Sequence, residues 1–185
     1  GAGHAGGSVA SHLRQWGWTG PITLVGAEQR LPYQRPPLSK GLMLGKTTPE
    51  ELLLKPAAYY TDKHIAFHGG QRALRIDRQA RHVEVTGGAT LPYDHLVIAT
   101  GARLRTLDVP GADLRGVMSL RTADDALALR AAIREGLKVA IVGGGYIGLE
   151  AAASARTLGA QVRVIERELR LMARVASEEL SRFCA

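Results

Sequence analysis

Two stretches of this chain space their glycines for phosphate chemistry. Gly143-Gly-Gly145-Tyr-Ile-Gly148 matches G-x-G-x-x-G, and Gly1-Ala-Gly3-His-Ala-Gly6 repeats the pattern. In such a turn the first glycine permits a tight strand-to-helix reversal. The second lets the backbone approach a pyrophosphate, and the third lets helix and strand pack closely. The phosphates then meet the positive end of a helix dipole. An acidic residue after the following strand can accept hydrogen bonds from a ribose diol. Glu166 stands there for the second motif, about 20 residues on. Glu28 is the counterpart for the first, at a somewhat longer spacing. A carboxylate at this place favours a free 2′-hydroxyl over a 2′-phosphate, so NAD is preferred to NADP, although the adjacent Arg167 could accommodate the phosphate. One such turn is weak support for a ligand. Two imply two dinucleotides, and an enzyme that needs both is most simply a flavoprotein, carrying FAD and reduced by a nicotinamide.

The elements around the motifs fit this chemistry. Residues 138–142 form an apolar run, residues 149–158 an alanine-rich helix stopped at Gly159, and residues 161–165 a second strand, completing a βαβ unit. The first motif is followed by a helix over 8–16, with Val9, Ala10, Leu13 and Trp16 at helical spacing, and by a strand over 22–25. The logic requires a strand before Gly1 as well, and the sequence does not contain it. Pro32, Pro36 and Pro37 exclude a regular helix or central strand over 28–46. Residues 52–62 are expected to form a short helix. Residues 71–98 read as a strand set: 73–76, 82–85, a Gly87-Gly88 turn, then 96–98. A helix is expected over 123–135, its start favoured by Asp124 and Asp125, and a further helical start over 169–185.

At 45% hydrophobic and 22% charged, the 185 residues belong to the globular range. No apolar run approaches the length that crosses a bilayer, and no secretion signal is visible. The single cysteine, Cys184, builds neither a disulfide framework nor a zinc site, so no metal is expected and a cytoplasmic setting fits. The net charge of +7 comes from scattered arginines, not from a patch interleaved with aromatics, which argues against nucleic acid. Two readings of that charge stay open: general solubility, or a basic face for an acidic protein.

The order of the motifs is informative beyond their chemistry. A glycine turn precedes Leu31-Pro-Tyr-Gln-Arg-Pro-Pro-Leu-Ser-Lys40. Then come Tyr93-Asp-His-Leu-Val-Ile-Ala-Thr-Gly101 and Gly143-Gly-Gly-Tyr-Ile-Gly-Leu-Glu150. This order resembles the FAD-dependent pyridine-nucleotide reductases, and among them the bacterial ferredoxin and rubredoxin reductases of cytochrome P450 and dioxygenase systems. The resemblance implies an α/β fold with two Rossmann-like FAD/NAD(P)-binding domains of the three-layer ββα type, both incomplete here. Residues 1–112 would be the FAD-binding domain, 113–136 a linker and helix, and 137–185 the first βαβ unit of the NAD(P)-binding domain. It implies that Gly1, Gly3, Ala5 and Gly6 hold the FAD pyrophosphate and that Glu28 or its neighbourhood holds the adenosine ribose. Ala27 occupies a place where many relatives carry an acid. Arg35 and Lys40 would lie along the flavin side, Ala73 would border the adenine, and Ala99, Thr100 and Gly101 would pass close to FAD. Arg121 would be a further FAD contact. Gly143, Gly145, Ile147, Gly148 and Glu166 would bind NAD, with Tyr146 at the nicotinamide entrance and Glu150 facing Lys40 near the flavin ring. The implied acceptor is an acidic, ferredoxin-like electron carrier.

In that reading Lys40 and Glu150 are the catalytic pair. The lysine stabilises negative charge developing on the flavin, and the glutamate orients it. Taken by themselves, Lys40 would be a solvated loop lysine and Glu150 a first-turn acid favoured by the helix dipole. Trp16 and Trp18 read as packing residues, Asp94 as a turn stabiliser and His4 as a loop side chain near the cofactor. A disulfide reductase would need a redox-active cysteine, and none lies between Gly1 and Lys46. Other acceptors remain open, as in a nitrite reductase flavin portion or a monodehydroascorbate reductase. So does a non-catalytic role like that of apoptosis-inducing factors. The family's return strand and C-terminal domain are not in this sequence, so the piece made alone is expected to aggregate and to bind FAD poorly.

Overall fold

Short apolar runs separated by glycine turns give this chain short strands with helices against them. The computed structural model describes residues 1–185. They form two compact units, residues 1–34 with 49–103, and residues 35–48 with 104–185.

In the first unit, helix α1 (His4–Gln15) leads into strand β1 (Ile22–Val25), and helix α2 (Ala57–Asp62) leads into strand β2 (Ile65–His68). The two strands pair in parallel, Ile22 opposite Ile65 and Val25 opposite His68. Ala10, Leu24, Tyr60 and Ile65 make the buried core between them. Arg14 closes the back of this layer. Its guanidinium donates to the carbonyl oxygens of Lys63, His64, Trp18 and Gly20 at 2.7–2.9 Å. Few side chains could satisfy four carbonyls at once, because only arginine carries five N–H donors in a planar fork. Strands β3 (Ala73–Asp77), β4 (His82–Val85) and β5 (Thr90–Pro92) form a separate antiparallel sheet. Its β4–β5 turn is the Gly87-Gly88 pair, both at positive φ, as the hairpin signal requires.

The second unit holds a 3-10 turn (Pro36–Ser39), helix α3 (Ala123–Ala132), strand β6 (Lys138–Val142), helix α4 (Tyr146–Thr157), strand β7 (Gln161–Ile165) and helix α5 (Glu178–Cys184). Strands β6 and β7 pair in parallel from Lys138 opposite Gln161 to Val142 opposite Ile165. Ala155 and Ala160 leave room for Met43, and these three residues form a buried cluster with Ile133, Val139, Ala151 and Val162 against it. No helix of the chain is long and apolar enough to cross a membrane.

Several expectations change. The helix expected over 52–62 begins only at Ala57, because Pro56 is its N-cap and the residue before a proline is disfavoured in helical conformation. The helix over 123–135 stops at Ala132, where Ile133 turns extended. Residues 96–98 are not a strand. No other strand of the chain runs beside them, so no ladder forms, and Val97 and Ile98 are 54% and 67% exposed. Over 169–185 only α5 is helical, starting where the Ser177 hydroxyl accepts from the Leu180 N–H. Strand β2 was not anticipated; four residues are too few to display a period. Trp16 is not a packing residue. It is 80% exposed and lies over the His12 ring at the end of α1.

Helix α3 carries a complete capping box. The Thr122 hydroxyl accepts from the Asp125 N–H, and the Asp125 carboxylate accepts from the Thr122 N–H. Thr122→Ala is expected to remove about 1 kcal/mol of stability. Urea denaturation should read this as a lower midpoint with an unchanged slope. An unchanged midpoint would show the cap to be idle.

Candidate active site

The second glycine motif joins β6 to α4, and each of its glycines answers a different constraint. Gly143 has φ +111, a conformation that side chains rarely adopt. A methyl group on Gly148 would collide with the carbonyl oxygen of Gly143, so only glycine lets the helix start this close to the strand end. Gly145 differs from both. Its φ of −84 suits any residue, and a methyl group there would meet no protein atom within 4 Å. Glycine at 145 is therefore not demanded by the protein. It fits a site kept open for a group lying against the backbone.

The first motif repeats the scheme. A methyl on Gly1 would strike the Ala99 carbonyl, and one on Gly6 would strike the Gly1 carbonyl, whereas Gly3 faces open space at φ −88. Residues 99–101 thus run directly beside the first glycine, within the same unit.

The helix ends support the same conclusion. Helices α3 and α5 are capped by side-chain oxygens and carry acids in their first turns. Like α2, helices α1 and α4 have neither; unlike α2, they start from glycine N-caps. Their leading N–H groups lack a side-chain acceptor, as an anion site at a helix N-terminus requires. The open glycines and uncapped helices fit two dinucleotide pyrophosphates.

Glu166 lies one residue past β7, beside the motif. Its carboxylate accepts from the backbone N–H of Gly144 at 2.6 Å, of Arg167 at 2.7 Å and of Glu168 at 3.0 Å. The Glu168 N–H, then those of Gly144 and Arg167, hold this carboxyl below its ordinary range. The Arg167 guanidinium is drawn to Glu168 at 2.9 Å. Glu28 lies three residues past β1 and accepts from the Tyr33 hydroxyl at 2.5 Å. Ala27 is exposed beside it, and Ala73 is exposed at the start of β3. Ala5 sits in the first turn of α1.

A cleft of about 300 Å³ opens in the second unit. Arg35, Lys40, Arg121, Tyr146, Ile147 and Glu150 line it. The Lys40 ammonium meets Glu150 Oε1 at 2.6 Å, and the Ser39 hydroxyl donates to Glu150 Oε2 at 2.5 Å. The lysine's contact first, and the serine's second, hold the Glu150 carboxyl below its usual value. The sign follows. What this carboxylate contributes to stability is complete above the ordinary carboxyl value and is lost as pH falls through its lowered one. Arg35 donates to the Arg121 carbonyl at 2.6 Å, and the Arg121 N–H donates to Asp125 at 2.9 Å, so the α3 capping box also steadies one wall. Glu150 is in the second turn of α4, not the first.

The expected residues thus divide. Gly1, Gly3, Ala5, Gly6, Glu28, Ala73, Ala99, Thr100 and Gly101 belong to the first unit. Arg35, Lys40, Arg121, Gly143, Gly145, Tyr146, Ile147, Gly148, Glu150 and Glu166 belong to the second. Sequence reasoning missed Ser39 and Ser154. For Ser154 the signal was a serine in an otherwise apolar helical stretch, four residues after Glu150.

Comparison with known proteins places this geometry. The family model described as pyridine nucleotide-disulphide oxidoreductase matches residues 1–185. The chain belongs to that family, whose members work with flavin and nicotinamide cofactors, FAD and NAD(H). It is 46% identical over 181 residues to rhodocoxin reductase of Rhodococcus erythropolis, covering 98% of this chain and 42% of that protein. It is similar, at 44% identity and a TM-score of 0.92, to the crystal structure of the ferredoxin reductase for the CYP199A2 system from Rhodopseudomonas palustris, covering 98% of this chain and 45% of that one. The reductase of the covalent putidaredoxin reductase–putidaredoxin complex gives the same TM-score at 37% identity, covering 100% and 45%. The chain therefore spans less than half the length of these relatives.

Gly145→Ala and Gly148→Ala in the full-length protein separate ligand space from packing. The first should leave the circular dichroism spectrum and melting temperature nearly unchanged while weakening NAD binding at least about tenfold, or 1.4 kcal/mol. The second should lower the melting temperature as well. Equal melting losses in both variants would contradict the distinction.

Proposed function

We propose that this chain is the cofactor-binding part of an FAD-dependent reductase that passes electrons from NADH to a small, acidic, ferredoxin-like iron–sulfur protein. The observation that carries the reading is the Lys40–Glu150 ion pair at 2.6 Å in a cleft shared with Arg35, Arg121 and Tyr146. When bound, FAD supplies two-electron acceptance from the nicotinamide and one-electron release to the acceptor.

The chain's own residues bind, orient and neutralise. Gly1, Gly3, Ala5 and Gly6 present backbone to the FAD pyrophosphate, with Glu28 toward its ribose, Ala73 toward its adenine and residues 99–101 alongside. Gly143, Gly145, Ile147 and Gly148 do the same for NAD, and Glu166 offers carboxylate oxygens to the ribose hydroxyls. Tyr146 guards the nicotinamide entrance. Lys40 holds positive charge where negative charge develops, and Glu150 fixes that ammonium. With Arg167 engaged by Glu168, the Glu166 carboxylate favours NADH over NADPH. Residues 1–112 act as the FAD-binding domain, 113–136 as linker and helix, and 137–185 as the nicotinamide-binding part.

The names of the relatives, reductases of rhodocoxin, ferredoxin and putidaredoxin, support the choice of acceptor. The net charge of +7 suits an acidic partner. A cytoplasmic setting agrees with the single thiol.

Anaerobic stopped-flow mixing of the FAD-loaded full-length protein with NADH should bleach the flavin absorbance. Lys40→Met should slow that phase by about 10²-fold. Absence of bleaching in the unmodified protein would sink the proposal.

A further inference from the structure

The ion pair in the cleft is held by two buried hydroxyls. Ser39 and Ser154 are each only 4% exposed. The Ser39 hydroxyl donates to Glu150 Oε2, and the Ser154 hydroxyl donates to the Ser39 carbonyl oxygen at 2.6 Å. Glu150 and Ser154 are four residues apart and so share one face of α4. A single helix face thus grips Ser39 by its side chain and by its main chain. Lys40 follows directly, so its backbone departs from an anchored carbonyl.

The carboxylate oxygens are divided between the donors, Oε1 to the ammonium and Oε2 to the hydroxyl. A half-exposed lysine–glutamate pair alone would be weak and free to rotate. The hydroxyl fixes the plane of the carboxylate. Serine within a helix commonly returns its hydroxyl to the carbonyl four residues back. Ser154 instead reaches a segment 115 residues away in sequence. Its loss would leave a buried carbonyl without that donor.

We propose that Ser39 and Ser154 are positioning residues that lock the Glu150 carboxylate and the Lys40 backbone, so that the lysine ammonium is held in the cleft. This rests on the reading of Lys40 and Glu150 as the pair beside the flavin. Besides Lys40, the charged or titratable groups lining the cleft around Glu150 are Arg35, Arg121 and Tyr146, and the test leaves them unaltered.

The test uses the FAD-loaded full-length protein and the variants Ser39→Ala, Ser154→Val, Ser154→Thr and Lys40→Met. Valine and threonine at 154 match in shape and differ in the hydroxyl. Three quantities are read: the flavin midpoint potential, the pH profile of flavin reduction by NADH, and the melting temperature. Lys40→Met should make the potential more negative. Ser39→Ala and Ser154→Val should move it the same way by less, slow reduction about tenfold, and shift the acid limb of the profile to higher pH. Ser154→Thr should restore all three readings. If Ser39→Ala and Ser154→Val change only the melting temperature, the serines are packing groups and the inference is overturned. If Lys40→Met leaves the potential unmoved, the cleft reading itself fails, and the inference with it, whatever the serines do.

Discussion

Helix α4 begins where it does because nothing larger than hydrogen fits between the Gly148 Cα and the Gly143 carbonyl oxygen. That contact brings the first turn of the helix against the end of β6 and leaves the N–H groups there without a side-chain cap. It also sets the phase of the helix. With Gly148 turned to the loop, Tyr146 and Ile147 are exposed at the cleft, and Glu150 and Ser154 fall on the face that meets Ser39. The open glycine turn and the charged pair thus depend on one close approach.

The two glycine motifs agree in a way that spacing alone does not show. In each, the first and last glycines are required by the backbone, by a positive φ or by a carbonyl in contact, and the middle one is not. The distinction matters because the middle glycine of each motif is the helix N-cap, and it supplies no side-chain oxygen to the first N–H groups. The space in front of those N–H groups is left open by the protein itself.

Much of this was legible in the sequence because strong local rules governed it. The strands at 138–142 and 161–165, the glycine turns and the capping acids Asp124 and Asp125 are written in neighbouring residues. Other features follow from partners far along the chain. Residues 96–98 have strand composition but no strand beside them, so composition alone misled. Trp16 lies on the apolar period of α1, yet the core ends at Ala10 and the ring is left in solvent. The Lys40–Glu150 pair was accessible only through resemblance, because no local signal links residues so far apart. Ser39 was missed for the same reason, whereas Ser154, four residues after Glu150 in an apolar helix, did carry a local signal.

The 35–48 segment packs with residues made much later, and this orders events during synthesis. Ser39 waits for Glu150 and Ser154, 111 and 115 residues downstream. At ribosomal rates that is on the order of ten seconds. Through this interval Met43, destined for the alanine pocket of α4, has no native neighbour there to cover it. Until then the apolar side chains of this segment lack the contacts that bury them in the finished fold. The long closure also gives the second unit a high contact order, so its completion should lag well behind local helix formation.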